Sequence, residues 1–154
     1  MNLKTFLLTH ETVRLGADAS DWMDAVKIGT DLLEEAGCVT DQYYKSIIDG
    51  VGELGPYFLM APGMAMPHGR PDSGVLRDGF ALTVLKEPVC FGDPDNDPVD
   101  ILITLAARDA EVQNEEAIVQ VVTLLDSEKA VSALREAETM EDLKHIFDNL
   151  ESES

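Results

Sequence analysis

Several familiar routes to function are missing from this chain of 154 residues. Basic residues are scarce, 11 against 30 acidic ones, which leaves a net charge of −19 at pH 7. A field of that sign opposes non-specific binding to nucleic acid or to an anionic membrane. It serves solubility, or docking onto partners with basic faces. Two cysteines, Cys38 and Cys90, supply neither a disulfide framework nor metal-ligand spacing, and both are expected as buried thiols in a reducing compartment. No apolar run approaches the roughly 20 residues of a membrane span. The opening MNLKTFLLTH meets Glu11 too soon for a signal peptide, so the expected location is cytoplasmic, with no membrane insertion. There is no GxxxxGK[ST], no GxGxxG after a strand and no GxSxG elbow. No internal repeat, long linker or low-complexity tract divides the chain.

An apolar fraction of 45% belongs to a globular chain. The reading is a single α/β domain over 1–150, a small mixed β-sheet flanked by helices on both sides, with 151–154 as a disordered acidic tail. Residues 1–19 carry short apolar pieces with no sustained period and read as a short helix or turn followed by an edge strand around Thr12 to Leu15. Ser20 is the expected N-cap of a helix whose face is Trp22, Ala25, Val26, Gly29, Leu32, Leu33 and Ala36, stopped by Gly37. Thr40 caps a second helix with Tyr44, Ile47, Ile48 and Val51 on its stripe, ended by Gly50, Gly52, Gly55 and Pro56. Tyr57 to Met60 reads as a strand and Ala61 to Gly63 as a turn. Phe80 to Leu85 and Ile101 to Ala106 are nearly unbroken apolar runs, the mark of central strands covered on both faces. A short strand at Val89 to Phe91 lies between them. Three helices finish the chain, the last opened by a capping box of Thr139 and Asp142.

Among candidate groups, His10 and His145 have no spacing that would make a zinc site with either cysteine. In the tract DPDNDPVD, Asp93, Asp95 and Asp97 match the first three ligand positions of an EF-hand loop. Pro98 then replaces the turn glycine and Thr104 the bidentate glutamate, so a solvated turn is expected and no metal or cofactor. His68 is different. It stands in GMAMPHGRP, Gly63 to Pro71, where Pro67 fixes the approach of the backbone and Gly69 allows a turn or close contact. Such a histidine is either a structural turn residue or a nucleophile. Imidazole is nucleophilic while neutral, and a phosphoryl group on it would find donors in the Gly69 backbone and in Arg70. With no second acid or metal cluster, a group relay fits better than hydrolysis.

The runs GPYFLMAPGMAMPHGRP (Gly55 to Pro71) and DNDPVDILITLAA (Asp95 to Ala107), with the helical finish, resemble an enzyme IIA component of the bacterial phosphoenolpyruvate-dependent sugar phosphotransferase system. The broader likeness is to the mannitol–fructose IIA family, the closer one to its ascorbate branch, and it runs from the Trp22 helix to about Leu150. The resemblance implies that His68 is phosphorylated by phospho-HPr and passes the group to a IIB component, which serves a membrane IIC. A regulatory IIA of the nitrogen type, whose phosphorylation state controls other proteins, is the alternative it leaves open. Two departures stand out. Many members carry a second histidine in the loop after the Ile101 to Ala106 strand, where this chain has Gln113 or a near neighbour of it; a glutamine can donate a hydrogen bond to a phosphoryl oxygen but carries no charge. The mannitol branch has an arginine at the place of Gly52, a loss that Arg70 is positioned in sequence to offset.

Overall fold

The computed structural model describes residues 2–152. Its centre is the antiparallel pair β4 (Gly79–Val89) and β5 (Val99–Ala106), in register from Gly79 opposite Ala106 to Val84 opposite Ile101. β1 (Val13–Ala17) adds parallel to β4 at one edge. β3 (Met64–Ala65) adds parallel to β5, and β2 (Leu59–Ala61) closes the other edge antiparallel to β3. The mixed sheet therefore runs β1-β4-β5-β3-β2.

Side chains alternate across β4 and β5 into two cores. Phe80, Leu82, Val84, Ile101, Ile103 and Leu105 face α1 (Leu3–His10), α4 (Ile118–Leu125), α5 (Glu128–Glu136) and α6 (Met140–Ser152). Ala81, Leu85, Leu102 and Ala106 face α2 (Trp22–Glu35) and α3 (Gln42–Leu54). The continuous apolar runs are thus explained by a sheet with helices on both sides. Each fully buried large aliphatic chain among them contributes about 1.5–3 kcal/mol. On the second face α2 comes so near that a Cβ at Gly29 would lie 2.1 Å from the Thr104 Oγ1. Only a residue without a side chain admits that approach.

Several boundaries differ from the sequence expectation. Asp21, not Ser20, caps α2: its side chain accepts from the Asp24 N–H, while Asp24 accepts from the Ser20 N–H. A carboxylate at the cap gains from the positive end of the helix as well as from the hydrogen bond. Helix α3 runs through Gly50 and Gly52 and stops at Gly55, whose φ of 75° breaks the spiral. Tyr43, not Tyr44, is its buried tyrosine. The separate strand at Val89 is the far end of a long, irregular β4. Cys38 is buried but Cys90 is exposed, because it lies just beyond that end. The expected tail begins inside α6, which holds Glu151 and Ser152 in helix, and Glu153 and Ser154 lie outside the described residues. The Thr139–Asp142 box is present, with Thr139 Oγ1 accepting from the Asp142 N–H at 3.0 Å and Asp142 returning the bond at 3.1 Å.

Between β5 and α4 lies a π-helical segment, Val112–Ala117, which sequence patterning does not reveal. Such wide turns are frequent at functional sites.

Candidate functional site

The loop after β3 is sewn into the sheet. Met66 N–H donates to Phe58 O at 2.9 Å, and Leu105 N–H donates to Pro67 O at 2.9 Å. The chain is thus held from β2 on one side and β5 on the other up to the residue before His68. Past that point two tyrosines take over. Tyr57 Oη donates to the His68 carbonyl. Tyr43 Oη accepts the Gly69 N–H at 2.9 Å and donates to the Leu105 carbonyl at the end of β5. Burial pushes the Tyr43 hydroxyl far above its ordinary value, so it stays protonated and able to donate. A Cβ on Gly69 would meet Tyr43, Ser46 and Ser73 at 3.2–3.3 Å, so glycine is what lets the loop lie down on α3.

The imidazole of His68 folds back on its own loop, with Nδ1 2.8 Å from Met66 O. A carbonyl can only accept, so Nδ1 carries the proton and the lone pair is on Nε2. The Tyr57 ring stands edge-on to the imidazole, centroids 5.4 Å apart and planes at 89°. Burial holds the His68 pKa below its ordinary value, opposed by the bond to Met66. The ring is therefore neutral at physiological pH, the state in which it is a nucleophile.

His68, Gly69, Arg70 and Gln113, the four residues singled out from sequence, line one open cleft of about 330 Å³. Gln113 arrives from the π-helical turn across the cleft from the β3 loop. Arg70 is exposed and lies 3.8 Å from Asp72. The Gly69 backbone N–H does not serve as the expected phosphoryl donor, because Tyr43 already holds it. Gly52 does not line the cleft; α3 presents Ser46, Gly50, Glu53 and Leu54 there instead. Leu54 is 74% exposed and Tyr57 38%, giving the rim apolar surface beside the histidine. Tyr43 and Tyr57 were not anticipated. The spacing Tyr43, Ile47, Gly50, Leu54 follows one helix face, displaced by one residue from the stripe chosen on hydrophobicity.

The remaining candidates are elsewhere. His10 packs on Phe6 at 4.3 Å, and exposed His145 lies 3.7 Å from Glu141. Asp97 accepts from the N–H groups of Phe91, Gly92 and Asp93, and Asp93 from Asp95, so the acidic tract builds its own turn. Among the described residues no group of three or more His, Cys, Asp or Glu could hold a metal ion. None of the described helices is long and apolar enough to cross a membrane.

A mixed sheet between two helical layers, offering one neutral imidazole in an open cleft, is the arrangement of an enzyme IIA domain. The chain belongs to the family described as phosphoenolpyruvate-dependent sugar phosphotransferase system, EIIA 2, whose model matches residues 6–150. Among its relatives, the ascorbate-specific PTS system EIIA component of Escherichia coli (strain K12) is 48% identical over 148 residues, covering 96% of both chains. Among solved structures, that of a PTS IIA (PtxA) from Streptococcus mutans has a TM-score of 0.92 at 38% identity, covering 99% of this chain and 96% of that one. The mannitol-specific cryptic enzyme IIA CmtB of E. coli has a TM-score of 0.81 at 32% identity, covering 95% and 97%.

Proposed function

We propose that this chain is the phosphocarrier of a sugar phosphotransferase system, accepting a phosphoryl group from phospho-HPr on Nε2 of His68 and delivering it to a IIB component, for uptake of ascorbate or a related sugar acid. The observation that carries the reading is the Nδ1 contact with Met66 O at 2.8 Å, which leaves the Nε2 lone pair as the nucleophile. The Nε2 lone pair forms a bond to phosphorus as the donor's N–P bond breaks, its electron pair leaving with the donor imidazole. The proton on Nδ1 stays against Met66 O throughout. A phosphorylated ring that keeps this proton is cationic and a good leaving group, which suits onward transfer. Arg70 and the amide of Gln113 are the donors within the cleft for the phosphoryl oxygens. The cytoplasm, where phospho-HPr is found, is the compartment this role requires.

Similarity to ascorbate-specific relatives over nearly the whole chain supports the choice of sugar class. Incubation with phosphorylated HPr is expected to label the wild type and leave His68→Ala unlabelled, and the labelled protein is expected to discharge to an ascorbate-type IIB. Labelling of His68→Ala would refute the acceptor. Discharge to no sugar-specific IIB would refute the transport role.

A further inference from the structure

We infer that Tyr57 is a positioning residue for the phosphoryl acceptor, a ring wall and carbonyl clamp that fixes the imidazole of His68 with Nε2 presented to the cleft. The inference rests on His68 as that acceptor and assigns the means by which one half-exposed side chain is held in a single orientation.

Three contacts converge on Tyr57. Its hydroxyl donates to the carbonyl of His68 itself, so the clamp acts on the residue whose ring must be aimed. Its ring stands perpendicular to the imidazole at 5.4 Å, the edge-to-face geometry favoured by aromatic quadrupoles. Behind it, the ring is wedged by Phe58, edge-on at 5.0 Å, and by α3. A Cβ at Gly50 would lie 3.2 Å from Tyr57 Cε1, so the helix carries no side chain where the tyrosine leans on it. Gly50 in mid-helix costs about 0.5–1 kcal/mol relative to alanine, and the space it leaves is the seat of this ring.

The imidazole is thereby fixed at both ends. Met66 O holds Nδ1, and the Tyr57 ring blocks rotation that would exchange that bond for one to water. The wall also keeps solvent from one face of the ring, consistent with burial as the main cause of the lowered His68 pKa. The other titratable or charged groups facing this space are Glu53 of α3 and Arg70 of the loop, with Tyr43 of α3 behind; the π-helical segment contributes uncharged Gln113. Tyr57 itself is held protonated by burial, so it remains a donor.

The test uses the full chain, with ¹⁵N-labelled histidine, in wild type, Tyr57→Phe, Tyr57→Leu and Gly50→Ala. Two readouts are taken: titration of the His68 ring in the unphosphorylated protein, and the initial rate of labelling by phospho-HPr across pH. Tyr57→Phe keeps the wall and loses the clamp, so transfer is expected to slow about fivefold, the effect of one hydrogen bond, with the titration unmoved. Tyr57→Leu loses both. Its His68 titration is expected to move up toward 6.5, the acid limb of the rate to follow it, and the rate at pH 7.5 to fall about tenfold or more. Gly50→Ala displaces the ring without touching His68 and favours the helix, so it is expected to shift the titration in the same direction. A His68 titration unchanged in both Tyr57→Leu and Gly50→Ala overturns the inference. Because that titration needs no phosphoryl donor, a wild type that is not labelled refutes the acceptor role separately.

Discussion

The hydroxyl of Tyr43 joins the backbone on the far side of His68 to the sheet, accepting from Gly69 and donating to Leu105. The tyrosine is 1% exposed and Leu105 is fully buried, so the Leu105 carbonyl cannot turn to water if the hydroxyl is lost. Tyr43→Phe is expected to lower unfolding free energy in urea by about 2 kcal/mol, the cost of leaving buried partners unmet. Labelling of His68 should slow in the same variant, because the loop is no longer tied to β5.

Gly29 and Thr104 form a second tight pair, with the projected Cβ 2.1 Å from Oγ1. Gly29→Ala is expected to destabilise by about 1–3 kcal/mol through overpacking. Thr104→Ala clears the obstruction and removes a hydroxyl that has no hydrogen-bond partner among the described residues. Combined in a double-mutant cycle, the two changes should show a favourable coupling of about 1 kcal/mol or more. Strict additivity in denaturant melts would refute the contact.

Thr83 Oγ1 is likewise buried without a hydrogen-bond partner among the described residues. Thr83→Val keeps the branched shape in mid-strand and removes the unmet group, so it should raise stability by about 1 kcal/mol. A loss of stability by calorimetry would mean the hydroxyl is satisfied.

Gln113 carries no titrating group into the cleft. Gln113→Ala is expected to slow phosphoryl transfer about tenfold at unchanged Tm, as for one oxyanion donor weakened by solvent. An unaltered rate would remove Gln113 from the site. Gln113→His should add a second step to the pH–rate profile near the ordinary imidazole pKa, absent from wild type.

Lys4 bridges Asp148 and Glu151, fastening α1 to α6, and Lys144 shares Asp148. These partners raise the Lys4 pKa above 10.5 and hold Asp148 below 3.8. The raised lysine contributes stability below pH 10.5 that is lost as pH climbs through its folded value. The depressed carboxylate contributes above pH 3.8 and is lost as pH falls through its folded value. Lys4→Met should flatten the alkaline decline of Tm and reduce the acid one. Unchanged slopes at both ends would show the bridge to be energetically silent.

The central strands were legible because a doubly covered strand must be apolar at every position, and Phe80 to Leu85 and Ile101 to Ala106 are. The Thr139–Asp142 cap was legible because it depends on local spacing alone. Strand order was not, since the parallel addition of β1 and β3 is decided by which helices cover which face. The glycines of α3 misled for a related reason. Gly50 reads as a breaker by propensity, yet the helix tolerates it because Tyr57 fills the space. His68 stood out through its flanking Pro67 and Gly69, and Gln113 through the family pattern. Tyr43 and Tyr57 did not, because a tyrosine binding a carbonyl from a distant loop looks in sequence like any other apolar residue.

The π-helical segment Val112–Ala117 also has a consequence for chain length. A wide turn accommodates one residue more than an α-helical turn, so deleting a single residue there would heal the spiral into ordinary α-helix. Ala117 and Val121, both fully buried, would keep their seats in the core, while the residue now at 113 would swing by about 100° around the axis. Insertion and deletion at this one place therefore change what faces the histidine, at the cost of moving Val112, which packs on the core.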